Sequence, residues 1–425
     1  MRIRIYNARI LTMEQNQDLF LGELQVEDGK IIYVGEETKS EASWDREIDA
    51  KQNLLLPGFK NAHTHSAMTF LRSYADDLPL QEWLYNRVFP MEAKLTPEDV
   101  YWCAMLANLE YLTSGITANF DMYVKNESNA KASVDTGFRT VLCGSINDFG
   151  GTVEEIEQEY LHFNDYDPLI SYQIGFHAEY TTKRETLEAM AALGQKYKAP
   201  VYTHNSETAN EVAGCVERYG KTPTAFLDSI GMFEYGGGGF HCVHMSQEDL
   251  DICKEKGLWV VTNPSSNVKL ASGIAPIQKM HSMGIGLAIG TDGPASNNCL
   301  DMFREMFLVT ALQKVSLMDA AAMDAFEVLR MATVGGARAM GLNDCDTLAV
   351  GKKADVIMLD LQQPNMQPLN NIAKNVVYSG SKQNVKMTMI DGKILYEDGI
   401  FHVGISPEEI YAKANESIER MKKEN

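Results

Sequence analysis

Leu54-Leu-Leu-Pro-Gly-Phe-Lys-Asn-Ala-His-Thr-His65 runs from an unbroken apolar stretch through a Pro-Gly pair into two histidines one residue apart. A short apolar run bounded by turn residues reads as a strand buried on both faces, and Leu54 to Asn61 is predicted as such a strand. In an extended chain, residues two apart point to the same side, so His63 and His65 can both reach one metal ion. Alone, the H-x-H pattern is weak. Its position at a strand exit gives it weight.

Working outward, seven further runs share this character: Ile116 to Met122, Arg139 to Ser145, Ile170 to Phe176, Pro200 to His204, Gly239 to Val243, Trp259 to Asn263 and Leu287 to Asp292. Helical patterns lie between them, as parallel strands with crossover helices require. One is the capped segment opening at Thr96-Pro97-Glu98-Asp99. Eight such strands close a barrel, so the chain is expected to be α/β, with a (β/α)8 TIM-like barrel over residues 57–345. An open doubly wound sheet is the alternative, but no G-x-G-x-x-G follows an early strand.

Outside the barrel the pattern changes to alternation. Leu24 to Val26, the turn Asp28-Gly29, and Ile31 to Val34 read as a hairpin, and Ala354 to Leu359, Val385 to Ile390 and the turn Asp391-Gly392 repeat the idiom. Residues 1–56 and 346–425 are therefore expected to form one small β-sandwich from both termini. A last helix should start at Ser406-Pro407 and present Ile410, Ala414, Ile418 and Met421 on one face.

The 425 residues carry 38 Lys plus Arg against 58 Asp plus Glu, a formal charge of -20, and no basic cluster, which argues against a nucleic-acid partner. The seven cysteines show no C-x-x-C pair, so a thiolate metal site is not expected and reduced thiols are. The N-terminal stretch lacks an unbroken apolar core, and no run approaches the roughly 20 apolar residues of a spanning helix. The expectation is a cytoplasmic chain with no membrane partner; a homo-oligomer is left open.

The chemistry-bearing residues gather at the C-terminal ends of the predicted strands, where barrel active sites are built. His204 ends the fifth and Asp292 the eighth. With His63 and His65 they offer three nitrogens and a carboxylate to one divalent ion, leaving a position for water. Zinc fits that set, and iron or manganese would too. No lysine stands at the fourth strand's exit to bridge a second ion. Glu207, three residues beyond His204, is placed to move a proton, and His241 is preferred over His244 as the group that orients the attacking water.

These motifs resemble the amidohydrolase superfamily: Pro57-Gly-Phe-Lys-Asn-Ala-His63-Thr-His65, His204-Asn-Ser-Glu207-Thr, His241-Cys-Val-His244, Asn263-Pro-Ser-Ser-Asn267 and Gly290-Thr-Asp292-Gly-Pro-Ala-Ser-Asn297-Asn298. The resemblance spans nearly the whole chain, including Gly351-Lys-Lys-Ala-Asp355-Val. Met68-Thr-Phe-Leu-Arg72, Glu82-Trp83-Leu84 and Pro90-Met-Glu92 are most similar to its methylthioadenosine/S-adenosylhomocysteine deaminase branch. The resemblance implies zinc on His63, His65, His204 and Asp292, with Glu207, His241 and Asp292 catalytic. It implies hydrolytic deamination at C6 of the adenine of a purine nucleoside, with release of ammonia. It also places Glu92 at the ribose hydroxyls and Trp83, His177 and Ser296 in the substrate pocket.

One departure bears on substrate. Relatives that accept S-adenosylhomocysteine hold its carboxylate with arginines at and after the third strand's exit, whereas here Gly144 stands at the exit and Asn147 to Thr152 contains no Arg or Lys. Glu179 also replaces an apolar residue or proline usual in relatives. Adenosine or its small 5′-modified forms are therefore expected to outrank S-adenosylhomocysteine. The rivals are an amidohydrolase acting on guanine-like, pterin or triazine rings, and a catalytically idle metal-binding scaffold.

Overall fold

The chain enters its fold through β1 (Arg2–Ile10), β2 (Phe20–Glu27) and β3 (Lys30–Gly35), joined as an antiparallel meander in the computed structural model, which describes residues 1–15, 18–38 and 43–424. The β2–β3 turn places Asp28 and Gly29 both at positive φ (47° and 83°), the backbone that an Asp-Gly pair tolerates in a two-residue hairpin. β4 (Arg46–Asp49) and β5 (Leu54–Pro57) then run parallel to β1.

Gly58 divides the run expected to be one strand. Leu54–Pro57 belongs to the terminal sheet, and the barrel begins afresh at β6 (Phe59–Thr64). A side chain at Gly58 would put its Cβ 2.1 Å from Thr117 Cγ2, so only glycine lets the backbone pass so close to the next strand. Continuous apolarity hid the break, because both sheets bury this segment on both faces.

The barrel continues through β7 (Ile116–Met122), β8 (Arg139–Cys143), β9 (Ile170–Ala178), β10 (Val201–Asn205), β11 (Gly237–His241), β12 (Trp259–Thr262) and β13 (Gly286–Ile289), each pairing parallel with the next. Phe120, Tyr202 and Phe240 fill the interior with Val141, Val261 and Ala288, while a separate apolar layer packs strands against helices. The eight strands are those expected, with shifted ends: β11 begins two residues before Gly239 and β13 stops at Ile289. Asp292 thus lies three residues past the strand it was expected to end. The seam between β6 and β13 is held by bonds beyond the strands, where Asp292 N donates to His63 O (3.0 Å) and Thr291 N donates to Asn61 Oδ1 (2.8 Å).

β14 (Val356–Leu359) returns antiparallel to β5, followed by β15 (Val385–Ile390), β16 (Lys393–Glu397) and β17 (Ile400–Phe401). Both termini therefore build one nine-stranded sheet, whose halves share a core of Ile3, Ile5, Leu24 and Leu55 with Val356, Met358 and Met387. Sheet and barrel are joined by a buried charge cluster. Arg139 donates to both oxygens of Asp355 (2.9 and 3.0 Å), and Lys60 Nζ lies 3.9 Å from Asp355 Oδ2. The last helix, Pro407–Lys423, is capped by Ser406 and buries Ile410, Ala414 and Met421, with Ile418 half-buried. Among the described residues, no helix is long and apolar enough to cross a membrane.

Candidate active site

Three histidines at the barrel mouth, His65, His204 and His241, are each oriented by one ring nitrogen. His65 Nδ1 donates to Met122 O (2.5 Å) and His204 Nδ1 to His177 O (2.7 Å). Carbonyl oxygens only accept, so each bond fixes the proton on Nδ1 and leaves the Nε2 lone pair facing inward. His241 Nδ1 is engaged in the same way by Asn267 Oδ1 at 2.7 Å. His241 and Asp292 sit at positive φ (71° and 58°), an uncommon conformation for residues other than glycine and one that clusters at functional sites.

Ligand atoms of His63, His65 and Asp292 lie within 4.8 Å of one another, and so do those of His63, His204 and His241. The two groups meet where His204 Nε2 stands 3.4 Å from His65 Nε2. Asp292 Oδ1 is 3.2 Å from His65 Nε2 and 3.6 Å from His63 Nε2, while Oδ2 is occupied by the hydroxyls of Ser266 (2.6 Å) and Ser296 (2.8 Å). His63 is fully buried, and neither of its ring nitrogens has a hydrogen-bond partner among the described residues. Two orphaned nitrogens in a dry setting are costly unless a cation takes one of them, so the donor set fits a divalent metal ion.

Electrostatics point the same way. Burial, reinforced by neighbouring histidines, holds His63 and His204 well below their usual range. Burial also acts against a charged His65, but contact with Asp292 overrides it and lifts His65 to about 9. Asp292 is held well below the carboxylate range despite its own burial, by His65 above all. His65 and Asp292 thus form a charge pair, while His63 and His204 stay neutral and able to lend a lone pair to a cation.

Glu207 follows β10 in a loop held by a second carboxylate. Glu211 accepts from Ser206 N (2.7 Å) and Glu207 N (2.8 Å), and with Thr208 it forms the capping box of the helix Ala209–Tyr219. Ser272 Oγ donates to Glu207 Oε1 (3.1 Å), leaving Oε2 at 3.9 Å from His241 Nε2. His244 turns away and bonds Ser272 O at 2.7 Å.

Above the cluster opens a pocket of about 820 Å3 of non-atom space, its mouth included. It is lined by Trp83, Glu92, His177 and Ser296 together with His65, His204, Glu207, His241 and Asp292, and His63 lies beneath it. All ten residues singled out from sequence are therefore brought to one place. Tyr123 donates to Glu92 Oε1 at 2.7 Å, and burial raises the Glu92 carboxyl against that bond. Ser145 and Asn147 line the wall after β8, and among the described residues no Lys or Arg lines the pocket. Glu179 is elsewhere: its buried carboxylate accepts two bonds from Arg218 Nη2 (2.7 and 2.9 Å).

Sequence reasoning missed Tyr123, Glu211, Ser272 and Glu305. Glu305, on the helix Met302–Leu317, is fully buried and accepts from Ser265 N (2.9 Å) and Asn297 Nδ2 (2.8 Å). It thereby ties together the two loops whose serines hold Asp292. Burial, working against those donors, raises it to about 7. Only the Asn263-to-Asn267 and Gly290-to-Asn298 motifs signalled that those loops carried more than ligands.

An eight-stranded barrel with imidazoles and a carboxylate converging at its C-terminal mouth, beside a carboxylate free for proton transfer, defines a class: barrel hydrolases built around a divalent metal ion. Within that class the chain belongs to the amidohydrolase family, whose model matches residues 54–395. It is 40% identical over 429 residues to a 5-methylthioadenosine/S-adenosylhomocysteine deaminase of Desulforamulus reducens, covering 99% of each chain. It is 39% identical to one of Syntrophomonas wolfei, also covering 99% of each. A zinc-bound adenosine deaminase from Xanthomonas campestris superposes with TM-score 0.93 at 33% identity, covering 99% of this chain and 98% of that one. A zinc-complexed atrazine chlorohydrolase from Arthrobacter aurescens shares the fold at TM-score 0.90 and 22% identity, covering 98% and 100%.

Proposed function

We propose that the chain hydrolytically deaminates adenine nucleosides, using one zinc ion on His63, His65, His204 and Asp292. The observation that carries this reading is Glu207, a carboxylate outside the ligand set whose Oε2 lies 3.9 Å from His241 Nε2 at the pocket floor. The names of relatives about 40% identical over the whole chain support the same chemistry. When bound, the ion supplies Lewis acidity that makes water a nucleophile at neutral pH.

The side chains divide the remaining work. His241, its Nδ1 proton committed to Asn267, offers the Nε2 lone pair to orient the water. Asp292 Oδ1 takes a proton from that water, Oδ2 being saturated by Ser266 and Ser296. Glu207 Oε2 carries a proton to the purine ring nitrogen, making C6 electrophilic; water adds at C6 as it gives a proton to Asp292, that proton passes to the amino nitrogen, the bond from C6 to that nitrogen breaks and ammonia leaves, and the hydroxyl proton at C6 returns to Glu207 as the oxo group forms. Glu92, one oxygen tied to Tyr123, accepts from the ribose hydroxyls with the other. Trp83, His177 and Ser296 shape the ring's site. The same disposition, a metal with a glutamate that is not its ligand, serves nucleobase deaminases of unrelated fold.

With no cation on the pocket wall, a tail carboxylate would lose its bidentate partner. Adenosine and 5′-methylthioadenosine should therefore exceed S-adenosylhomocysteine in kcat/KM by about tenfold or more. All seven cysteines are unpaired and six are buried, which suits a reducing compartment, so we place the enzyme in the cytoplasm. The test is ammonia release across adenosine, 5′-methylthioadenosine, S-adenosylhomocysteine, guanine, a pterin and a triazine. Turnover confined to the last three would replace this reading with the rival ring hydrolase.

A further inference from the structure

Two aromatic rings stand exposed beside the pocket, against a third, half-buried ring that lines it. Tyr85 and Phe149 are 48% and 71% exposed, and Phe89 joins them, with ring centroids 5.4 Å (Tyr85–Phe89), 6.0 Å (Phe89–Phe149) and 6.5 Å (Tyr85–Phe149) apart. They come from two separate excursions, the segment after β6 and the loop after β8. The first passes through a π-helical turn, Leu84–Val88, a rare form frequent at functional sites. In the second, Asp148 is anchored to Thr181 O (2.9 Å) and Lys183 N (3.0 Å), so Phe149 is held out to water by a fixed backbone.

The cluster is continuous with the pocket on both sides. Phe89 lines the pocket and lies three residues before Glu92 on the same helical turn, so ring and carboxylate share a face. Asn147, two residues before Phe149, also lines the pocket, and Val124, 43% exposed, follows the Tyr123 that holds Glu92. If Glu92 takes the ribose hydroxyls, the ribose sits against the helical turn that also carries Phe89, next to these rings. Among the described residues no lining cation is available for an amino-acid tail.

Resting on the deaminase reading above, we infer that Tyr85, Phe89 and Phe149 form a subsite for an apolar, preferably aromatic, 5′-substituent. Lack of charge, rather than small size, then decides which 5′-modified adenosines the enzyme takes. Aromatic groups bury large apolar area at low entropic cost and gain further from edge-to-face contact, the geometry the exposed rings offer.

The experiment compares kcat/KM for adenosine, 5′-methylthioadenosine and 5′-deoxy-5′-phenylthioadenosine in the native protein and in Phe149→Ala and Tyr85→Ala. The native protein should turn over the phenylthio compound at least as well as the methylthio one. Each substitution should cost the phenylthio compound about tenfold while leaving adenosine within about twofold. The subsite is overturned if the phenylthio compound is tenfold poorer than the methylthio one in the native protein, or if neither substitution changes their ratio. It is also overturned if the substitutions alter only the association state, which would assign the rings to a second copy of the chain. If the native protein releases no ammonia even from adenosine, the deaminase reading itself fails; normal turnover of adenosine with no phenylthio effect sinks the subsite alone.

Discussion

His63 shows how much of the site is written in single atoms: it is fully buried with both ring nitrogens unpartnered, while its neighbours each spend one nitrogen on a carbonyl or amide oxygen. Glu207 is the opposite case, with Oε1 fixed by Ser272 and Oε2 facing His241 at 3.9 Å, the oxygen proposed to carry the proton. Glu207→Gln keeps the shape and removes the oxygen proposed to carry the proton, so kcat for adenosine should drop on the order of a hundredfold or more with zinc content unchanged. Steady-state kinetics beside metal analysis checks this, and native activity would show the proton travels elsewhere. Glu305 works at one remove, its two oxygens setting the loops that present Ser266 and Ser296 to Asp292. Glu305→Gln turns an amide toward one of two N–H donors, releasing one loop. Zinc affinity, measured by competition with a chelator, should fall about tenfold, with adenosine KM little changed.

Elements were legible where their signal was local. The barrel strands announced themselves as apolar runs, and the helix Pro97–Thr113 by its Thr96–Asp99 capping box, which the structure forms. The boundary at Gly58 was not, because its cause is Thr117 on the next strand. The proposed ligands lay at or just past strand ends in recognisable motifs. Their partners Ser272, Glu211 and Glu305 carry no pattern of their own and act through residues that only folding brings near. The exit of β13 makes the point quantitatively. A Cβ at Gly290 would lie 2.4 Å from Asn263 Oδ1 and 2.7 Å from His63 O, so this strand end packs directly on the backbone of a proposed ligand. Gly290→Ala should cost roughly 1–3 kcal/mol of stability through overpacking, read by urea denaturation, and lower zinc per chain. Unchanged values for both would mean that the seam yields freely.

At the scale of the whole molecule, the cluster of Arg139, Lys60 and Asp355 couples barrel to terminal sheet. Burial alone would raise the Asp355 carboxyl, but Arg139 and Lys60 hold it at about 2, below its ordinary 3.8. A depressed acid stabilises the fold above its unfolded value and loses that contribution as pH falls from 3.8 through 2, here on the order of 2 kcal/mol. Asp355→Asn leaves two buried cations uncompensated and should cost about 3–5 kcal/mol at pH 7. The gap from the native protein, followed by denaturant titration at several pH values, should narrow below pH 4; a gap constant with pH would show that charge at Asp355 is not its source. The terminal sheet has a consequence in time as well as in space. β1, β2 and β5 leave the ribosome first, yet β14, their partner through β5, begins only at Val356, after the barrel. A nascent chain halted at Asp292 would already hold every proposed metal ligand while Ile3, Ile5 and Leu55 still lacked their cover. The two ends thus work as a clasp that can shut only once the strands after the barrel have been made.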